Sequence, residues 1–301
     1  MMFQLWHQGA LRTEGGTGPY ADFPTLSPSG LIQAMKPSGR AASLLELEEI
    51  KEGYVRSAIM AQELGAAGVE LHGGHGFLLD QFLWPETNHR TDGYGGESMA
   101  NRVRFPAEVV SAIRDATGDS FVISFRFSQW KPLDYVAGQI AKSPSELGVM
   151  LKALRAAGVD LFNVSERRFF KPEWPGSTLS LGGWTKSLVP DAAVMTVGGV
   201  GVNNDVIEGL IQGAETTSNT SGSLTELVRR MGLGEFDLVA VGRASIGDPD
   251  WVNKVASGDY EDILPFDRKK LIADMGWESA DSEVAWTKQE MERRRREAGS
   301  A

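Results

Sequence analysis

The chain has 301 residues, 42% hydrophobic and 23% charged, a balance that suits a globular protein able to bury a sizeable core. It contains no cysteine, which excludes disulfides, thiolate zinc sites and cysteine-ligated iron–sulfur clusters. A net charge of −10 argues against a general nucleic-acid binder, no apolar run approaches the ~20 residues of a membrane span, and the start MMFQLWHQGALR has no signal-peptide pattern, so a cytoplasmic location is expected.

In chain order, a first strand is expected at 2–7, followed by a Gly- and Pro-rich insertion at 9–37 and a helix at 44–64. Strands at 68–73, 121–128, 159–165, 193–200 and 236–242 then alternate with helices at 98–117, 143–157, 221–231 and 249–257. Runs such as VISFRF and DLVAVG are apolar nearly throughout, as expected of parallel strands covered on both faces. Strands alternating with long helices imply βαβ units in one domain. The long insertion replaces the glycine-rich first turn of an open nucleotide-binding sheet, and glycines and polar residues cluster at the strand C-termini. Both features favour a TIM-type (β/α)8 barrel over residues 1–271, followed by a helical tail at 272–301. The basic run Arg293 to Arg296 reads as the solvated end of that tail. Only six strands are counted where a barrel needs eight, so the barrel is expected to be open, to have strands hidden in the irregular stretches, or to be truncated. Open edge strands of this kind would favour self-association.

The segment VELHGGHGFLLDQFLWPETNHRTDGYGG places His72 and His75 at the end of a strand, where two imidazoles could donate to one oxygen and stabilise negative charge on it. A metal-ligand pair is the first competing reading, disfavoured by the lack of cysteine or a matching third ligand; satisfied core histidines are the second. Gly73, Gly74 and Gly76 favour close ligand approach. The stretches VMTVGGVG and VAVGRASIGDPDW end strands in glycines, and the second leads to a helix expected to open at Asp248-Pro249. Backbone amides there, with Arg243, would make a phosphate cradle, against the alternative of a ligand-free tight turn. Arg126 inside SFRFS calls for an anionic ligand or an ion-pair partner. Tyr20 and Trp130 are further pocket candidates.

The blocks QLWHQGA, the long His-containing segment, NRVRF, RFSQW, VSERRFFKPEWPGS, GGWTKSL, TVGGVG and EFDLVAVGRASIGDPDWVNKV together resemble the old yellow enzyme family of NAD(P)H:flavin oxidoreductases, over about residues 2–271. The resemblance implies a (β/α)8 barrel with FMN at its C-terminal mouth, reduced by NADH or NADPH. It implies that Gln4 and Arg126 hold the flavin ring, that Gly198, Gly199, Gly242 and Arg243 hold its phosphate, and that His72 and His75 bind the oxygen of an enone-like small-molecule substrate. Hydride would pass from flavin N5 to the β-carbon of an activated alkene. The segment RRFFKPEW is similar to a bacterial subgroup of unassigned substrate.

Two departures stand out. Where the family commonly carries a proton-donating tyrosine, this chain has Phe77 in the substrate pocket, which keeps a dehydrogenation or demethylation in play. The family also has two strands before QLWH, so a non-catalytic fragment is the expectation that competes with an active enzyme.

Overall fold

The computed structural model describes residues 1–12, 22–134, 138–211 and 213–268. Tyr20, the Arg293–Arg296 run and the 272–301 tail therefore lie outside the described residues, as does part of the 9–37 insertion. The chain divides into two compact units, the first comprising Met1–Glu166, Lys171–Thr196 and Leu233–Val239, and the second Arg167–Phe170, Val197–Gly232 and the chain from Ala240 onward.

The first unit is organised by a six-stranded sheet whose spatial order follows the chain: β1 (Met2–Leu5), β2 (Gly68–Gly73), β3 (Val122–Phe127), β4 (Leu161–Ser165), β5 (Ala193–Val197) and β6 (Leu238–Val239). The β1–β2, β2–β3, β3–β4 and β5–β6 ladders are parallel. Parallel neighbours require crossovers, and helices fall in each: α1 (Leu44–Glu63) before β2, α2 (Leu78–Leu83), α3 (Met99–Arg102) and α4 (Arg104–Thr117) before β3, α5 (Pro144–Ala157) before β4, α6 (Leu181–Leu188) before β5 and α7 (Thr220–Gly232) before β6. Successive parallel strands with helical crossovers are the (β/α)8 barrel arrangement, with six of its strands among the described residues. Within the 9–37 insertion and just beyond it, Leu26–Ser27 pairs with Arg40–Ala41, and Leu31–Gln33 pairs with Lys36–Pro37, apart from the main sheet.

Local chemistry sets the helix ends. Ser43 Oγ accepts from the Glu46 amide while the Glu46 carboxylate accepts from the Ser43 amide, closing a capping box at the start of α1. Ser143 caps α5 in the same way from one side, with Pro144 in the first turn. The stretch read as one helix over 98–117 is two, broken at Val103. Pro106 explains the break, since it has no N–H to give the Arg102 carbonyl and its ring crowds that oxygen. Helix α6 was not expected, because LGGWTKSL carries two poor helix formers. They are required by packing: a Cβ on Gly182 would meet the Glu166 carboxylate at 3.1 Å, and one on Gly183 would meet Leu179 at 3.1 Å.

The two faces of the sheet differ. Val69 and Leu71, Ile123, Phe125 and Phe127, and Phe162 and Val164 are all fully buried on the face that packs under the helices. The opposite face carries Glu70 and His72, Ser124 and Arg126, and Asn163 and Ser165. The expectation of strands apolar on both faces is thus corrected: VISFRF alternates with period two, and its polar residues share one side. Among the described residues no helix is long and apolar enough to cross a membrane.

The second unit contains α7 (Thr220–Gly232), α8 (Arg243–Gly247) and α9 (Trp251–Ser257). The helix expected to open at Asp248-Pro249 is two helices: α8 is N-capped by Gly242, α9 by Asp250, and the Asp-Pro pair lies between them.

Close strand approach makes Gly68 irreplaceable, because an added Cβ would land on the Val122 carbonyl oxygen. Gly68→Ala is expected to lower unfolding free energy by about 1–3 kcal/mol or more. Gly232→Ala, where nothing lies within 4 Å, is expected to leave it unchanged or raised. Denaturant midpoints of the two variants check this, and equal midpoints would refute the packing argument.

Candidate active site

The polar face of the first unit is built by register. Gln4 pairs with Glu70, and Glu70 with Ser124, in one row across β1, β2 and β3. The next row, nearer the strand C-termini, aligns His72, Arg126 and Asn163. Glu70 ties the rows together. Its carboxylate accepts from Gln4 Nε2 at 2.7 Å, Asn163 Nδ2 at 2.7 Å and Ser124 Oγ at 3.1 Å. Glu70 thereby orients the Gln4 amide, leaving its oxygen as the free acceptor.

The upper row holds polar atoms with no protein partner. His72 Nδ1, Arg126 Nε and Asn163 Oδ1 are all buried and unbonded. Arg126 makes no hydrogen bond or ion pair to any described residue, and burial, only partly offset by Glu70, holds its guanidinium below its ordinary pKa. Leaving one such group unsatisfied costs about 1–3 kcal/mol, and more for a charge. Three of them on adjacent strands are the signature of a surface shaped for a polar ligand.

His75 sits three residues beyond His72 with a left-handed backbone, φ +60, uncommon for a residue other than glycine. A buried scaffold holds it there. Ser128 Oγ accepts from the His75 amide at 3.1 Å and donates to the Trp130 carbonyl at 2.9 Å. The next amide, Gly76, donates to Asp80 at 2.6 Å, and Asp80 pairs with Lys131 at 2.6 Å with both side chains fully buried. Burial pushes Asp80 up and Lys131 down, and each charge opposes that shift in the other. Gln81 Nε2 donates to the Gly76 carbonyl at 2.6 Å, while its oxygen accepts from the Ala10 amide.

The imidazoles are not equivalent. His75 uses both ring nitrogens within the protein, Nδ1 to His72 Nε2 at 3.3 Å and Nε2 to Ser165 Oγ at 2.9 Å. His72 alone keeps a free ring nitrogen. Phe77 and Trp130 wall the pair, with ring centroids 4.7 Å from His72 and 4.5 Å from His75 respectively. Burial is the main force lowering both pKa values, His72 to about 4 with Arg126 adding to it, and His75 well below its usual value with His72, Arg126 and Lys131 adding to it. Burial thus favours the neutral form of both rings.

In the second unit Gly198 and Gly199 follow β5, and Gly199 has φ +73, a backbone that excludes most side chains. A Cβ there would also crowd Arg168 at 3.1 Å. Gly242 leads into α8 with open space around the position of a Cβ. The Arg243 guanidinium donates to Asn204 Oδ1 at 2.7 Å, Asn204 O at 2.6 Å and Asp205 O at 3.0 Å, so it braces the glycine loop's neighbour. Thus Gln4, His72, His75, Phe77 and Arg126 fall in the first unit, and Gly198, Gly199, Gly242 and Arg243 in the second.

Sequence reading missed Glu70, Asn163, Ser165 and the Asp80–Lys131 pair. It also missed Glu166, a buried carboxyl that burial raises to about 8 although Thr196 Oγ1 and the Leu181 and Gly182 amides all donate to it.

A sequential parallel sheet with polar groups gathered toward the strand C-termini defines a barrel-type α/β protein of the kind that carries its site at that end. Residues 1–175 match the model of the NADH:flavin oxidoreductase / NADH oxidase family. The chain is 32% identical to the NADH oxidase of Thermoanaerobacter brockii, covering 92% of this chain and 38% of that protein. It is also 32% identical to 12-oxophytodienoate reductase 7 of Oryza sativa subsp. japonica, covering 83% of this chain and 63% of that one. Among solved structures, the old yellow enzyme homologue from Zymomonas mobilis superposes with a TM-score of 0.63 at 22% identity, over 85% of this chain and 66% of that one. Morphinone reductase gives 0.62 at 24% identity, over 85% and 65%. The chain belongs to the NADH:flavin oxidoreductase / NADH oxidase family. It spans between about a third and two thirds of the length of these relatives.

A histidine whose folded pKa is depressed binds fewer protons than in the unfolded chain, so its share of stability is complete above about pH 6.5 and is lost as pH falls toward 4. For His72 the loss between pH 7 and pH 4 is at most roughly 3 kcal/mol. Urea unfolding across that range should show a shallower pH slope for His72→Gln than for the parent. Identical slopes would mean His72 is not buried neutral.

Proposed function

We propose that the chain is an FMN-dependent oxidoreductase that uses NADH or NADPH to reduce an activated C=C bond of an enone-like substrate. The observation that carries this reading is the unpartnered row of His72 Nδ1, Arg126 and Asn163 Oδ1, which offers a donor, a cation and an acceptor side by side. A flavin ring has complementary polar edges, and family membership supports the same cofactor. The relative 12-oxophytodienoate reductase 7, named for the reduction of an unsaturated oxo acid, supports the alkene-reducing reading.

In the first unit Gln4 and Arg126 would hold the flavin ring. In the second unit, taken by itself, Gly198, Gly199, Gly242 and Arg243 would suit a phosphate. FMN, when bound, would supply the hydride chemistry that links NAD(P)H to the alkene. The protein's contribution is orientation and charge. Arg126, desolvated and unpaired, favours negative charge on whatever it meets. His72, neutral and with Nδ1 free, can bind a substrate oxygen without carrying a charge of its own. Phe77 has no proton to give, and that observation favours a second reading in which the same site performs a dehydrogenation or demethylation. A cytoplasmic location and self-association belong to the proposal as well.

The test is a titration of FMN fluorescence with the purified chain, followed by anaerobic NADH or NADPH. Saturable quenching and bleaching of the flavin band are expected, and Arg126→Ala should weaken binding at least tenfold. A chain that leaves FMN fluorescence unchanged would overturn the reading. Enone and amine panels then separate alkene reduction from dehydrogenation.

A further inference from the structure

The main sheet is open on its β1 side. Met1 and His7 turn their carbonyls toward β2 and the start of α2, where the Ala67 and Leu78 amides donate to them. Backbone groups alternate in direction along a strand, so Met2 and Gln4 send theirs the other way, where β1 has no neighbouring strand among the described residues. Along that edge runs a groove of about 520 Å3, lined by β1 and His7 and by Glu49, Ile50, Gly53, Tyr54 and Ser57 of α1. Its volume is that of a ligand site. Of its lining residues only Gln4 enters the flavin reading.

Three features fit the groove to an occupant. The Tyr54 hydroxyl is buried, on a residue 5% exposed, and has no hydrogen-bond partner. Burial raises its pKa and the nearby His7 amide only opposes this, so it remains a phenol with a proton to give. Gly53 lies in the middle of a 20-residue helix, where glycine is a poor choice, and packing does not demand it: an added Cβ would meet only the Arg56 guanidinium, at 3.8 Å. The glycine keeps the wall of the groove low. Glu49 supplies a charge. Glu46, Glu48 and Glu52 of the same helix pair with Arg40, Lys51 and Arg56, whereas Glu49 meets no cation among the described residues.

We propose that this groove binds an extended peptide segment carrying lysine or arginine, which joins the sheet as a strand beside β1. The segment's backbone would pair with the amides and carbonyls of Met2 and Gln4, as in other cases of strand addition to an open edge. One of its carbonyls would accept from the Tyr54 hydroxyl, and its cation would meet Glu49. Charge favours such a partner over a second copy of this chain paired edge to edge, because residues 1–11 contain no lysine or arginine.

The probe is a capped, fluorescein-labelled nonapeptide of alternating lysine and valine, titrated with the full chain and read by fluorescence anisotropy. Saturable binding is expected. Methylating alternate backbone amides of the peptide removes the strand pairing and should weaken binding about tenfold or more. Replacing its lysines by glutamate should do the same, and Glu49→Gln should weaken it about threefold while Glu48→Gln leaves it unchanged. Gly53→Leu fills the groove without touching a charge and should abolish saturable binding. Binding indifferent to both amide methylation and Gly53→Leu would be general attraction to an acidic protein and would overturn the proposal, as would no binding at all. A dimer of the chain that Gly53→Leu dissolves, seen by analytical ultracentrifugation, would assign the groove to a second copy and overturn it too. Should Gly53→Leu not fold, the methylated and unmethylated peptides compared on the unsubstituted chain still decide.

Discussion

The candidate site depends on one electrostatic constraint: a carboxylate on the inner side of a parallel sheet has to find donors there. Glu70 finds three, on β1, β3 and β4, and in doing so aligns the side chains on either side of it. The register that brings those donors to Glu70 also carries His72, Arg126 and Asn163 into one row two residues further along. The lower row is knit together by Glu70, with only the exposed Gln4 oxygen left open. The upper row keeps three buried polar atoms without a partner, and those atoms mark the surface as a site.

The surroundings show why the unsaturated layer can persist. Removing one partner of a buried ion pair destabilises by about 3–5 kcal/mol, so the fully buried Asp80–Lys131 pair is a firm anchor for the loop after β2. Asp80 also holds the Gly76 amide, and Ser128, whose carbonyl accepts from Lys131, holds the His75 amide. The left-handed backbone of His75 is thus imposed by neighbours on two sides, as expected where strain is stored near chemistry. The scaffold thereby fixes the two imidazoles against each other, with His75 Nδ1 3.3 Å from His72 Nε2.

Much of this was legible in the chain. The six strands lie where alternating apolar runs place them, and His72, Gly73 and Arg126 sit at or near strand C-termini as expected. What escaped was of two kinds. Helix α6 and the break before α4 depend on Gly182, Gly183 and Pro106, residues whose effect is decided by tertiary neighbours or by a single missing N–H. Glu70, Asn163 and Ser165 escaped because each was read as part of an apolar strand. Their signal was nonetheless present: three successive strands each end in two polar residues spaced two apart, Glu70 and His72, Ser124 and Arg126, Asn163 and Ser165. Spacing of two puts such pairs on one face. Which polar atoms remain unbonded depends on three-dimensional register, and no one-dimensional pattern contains it.

The most direct test of the account is peptide-resolved hydrogen–deuterium exchange of the full chain with and without FMN. Slowed exchange at 72–76, 124–131 and 163–166 would place the flavin against the unpartnered row. Protection at other segments, or none at saturating FMN, would contradict the assignment of this face as the cofactor site.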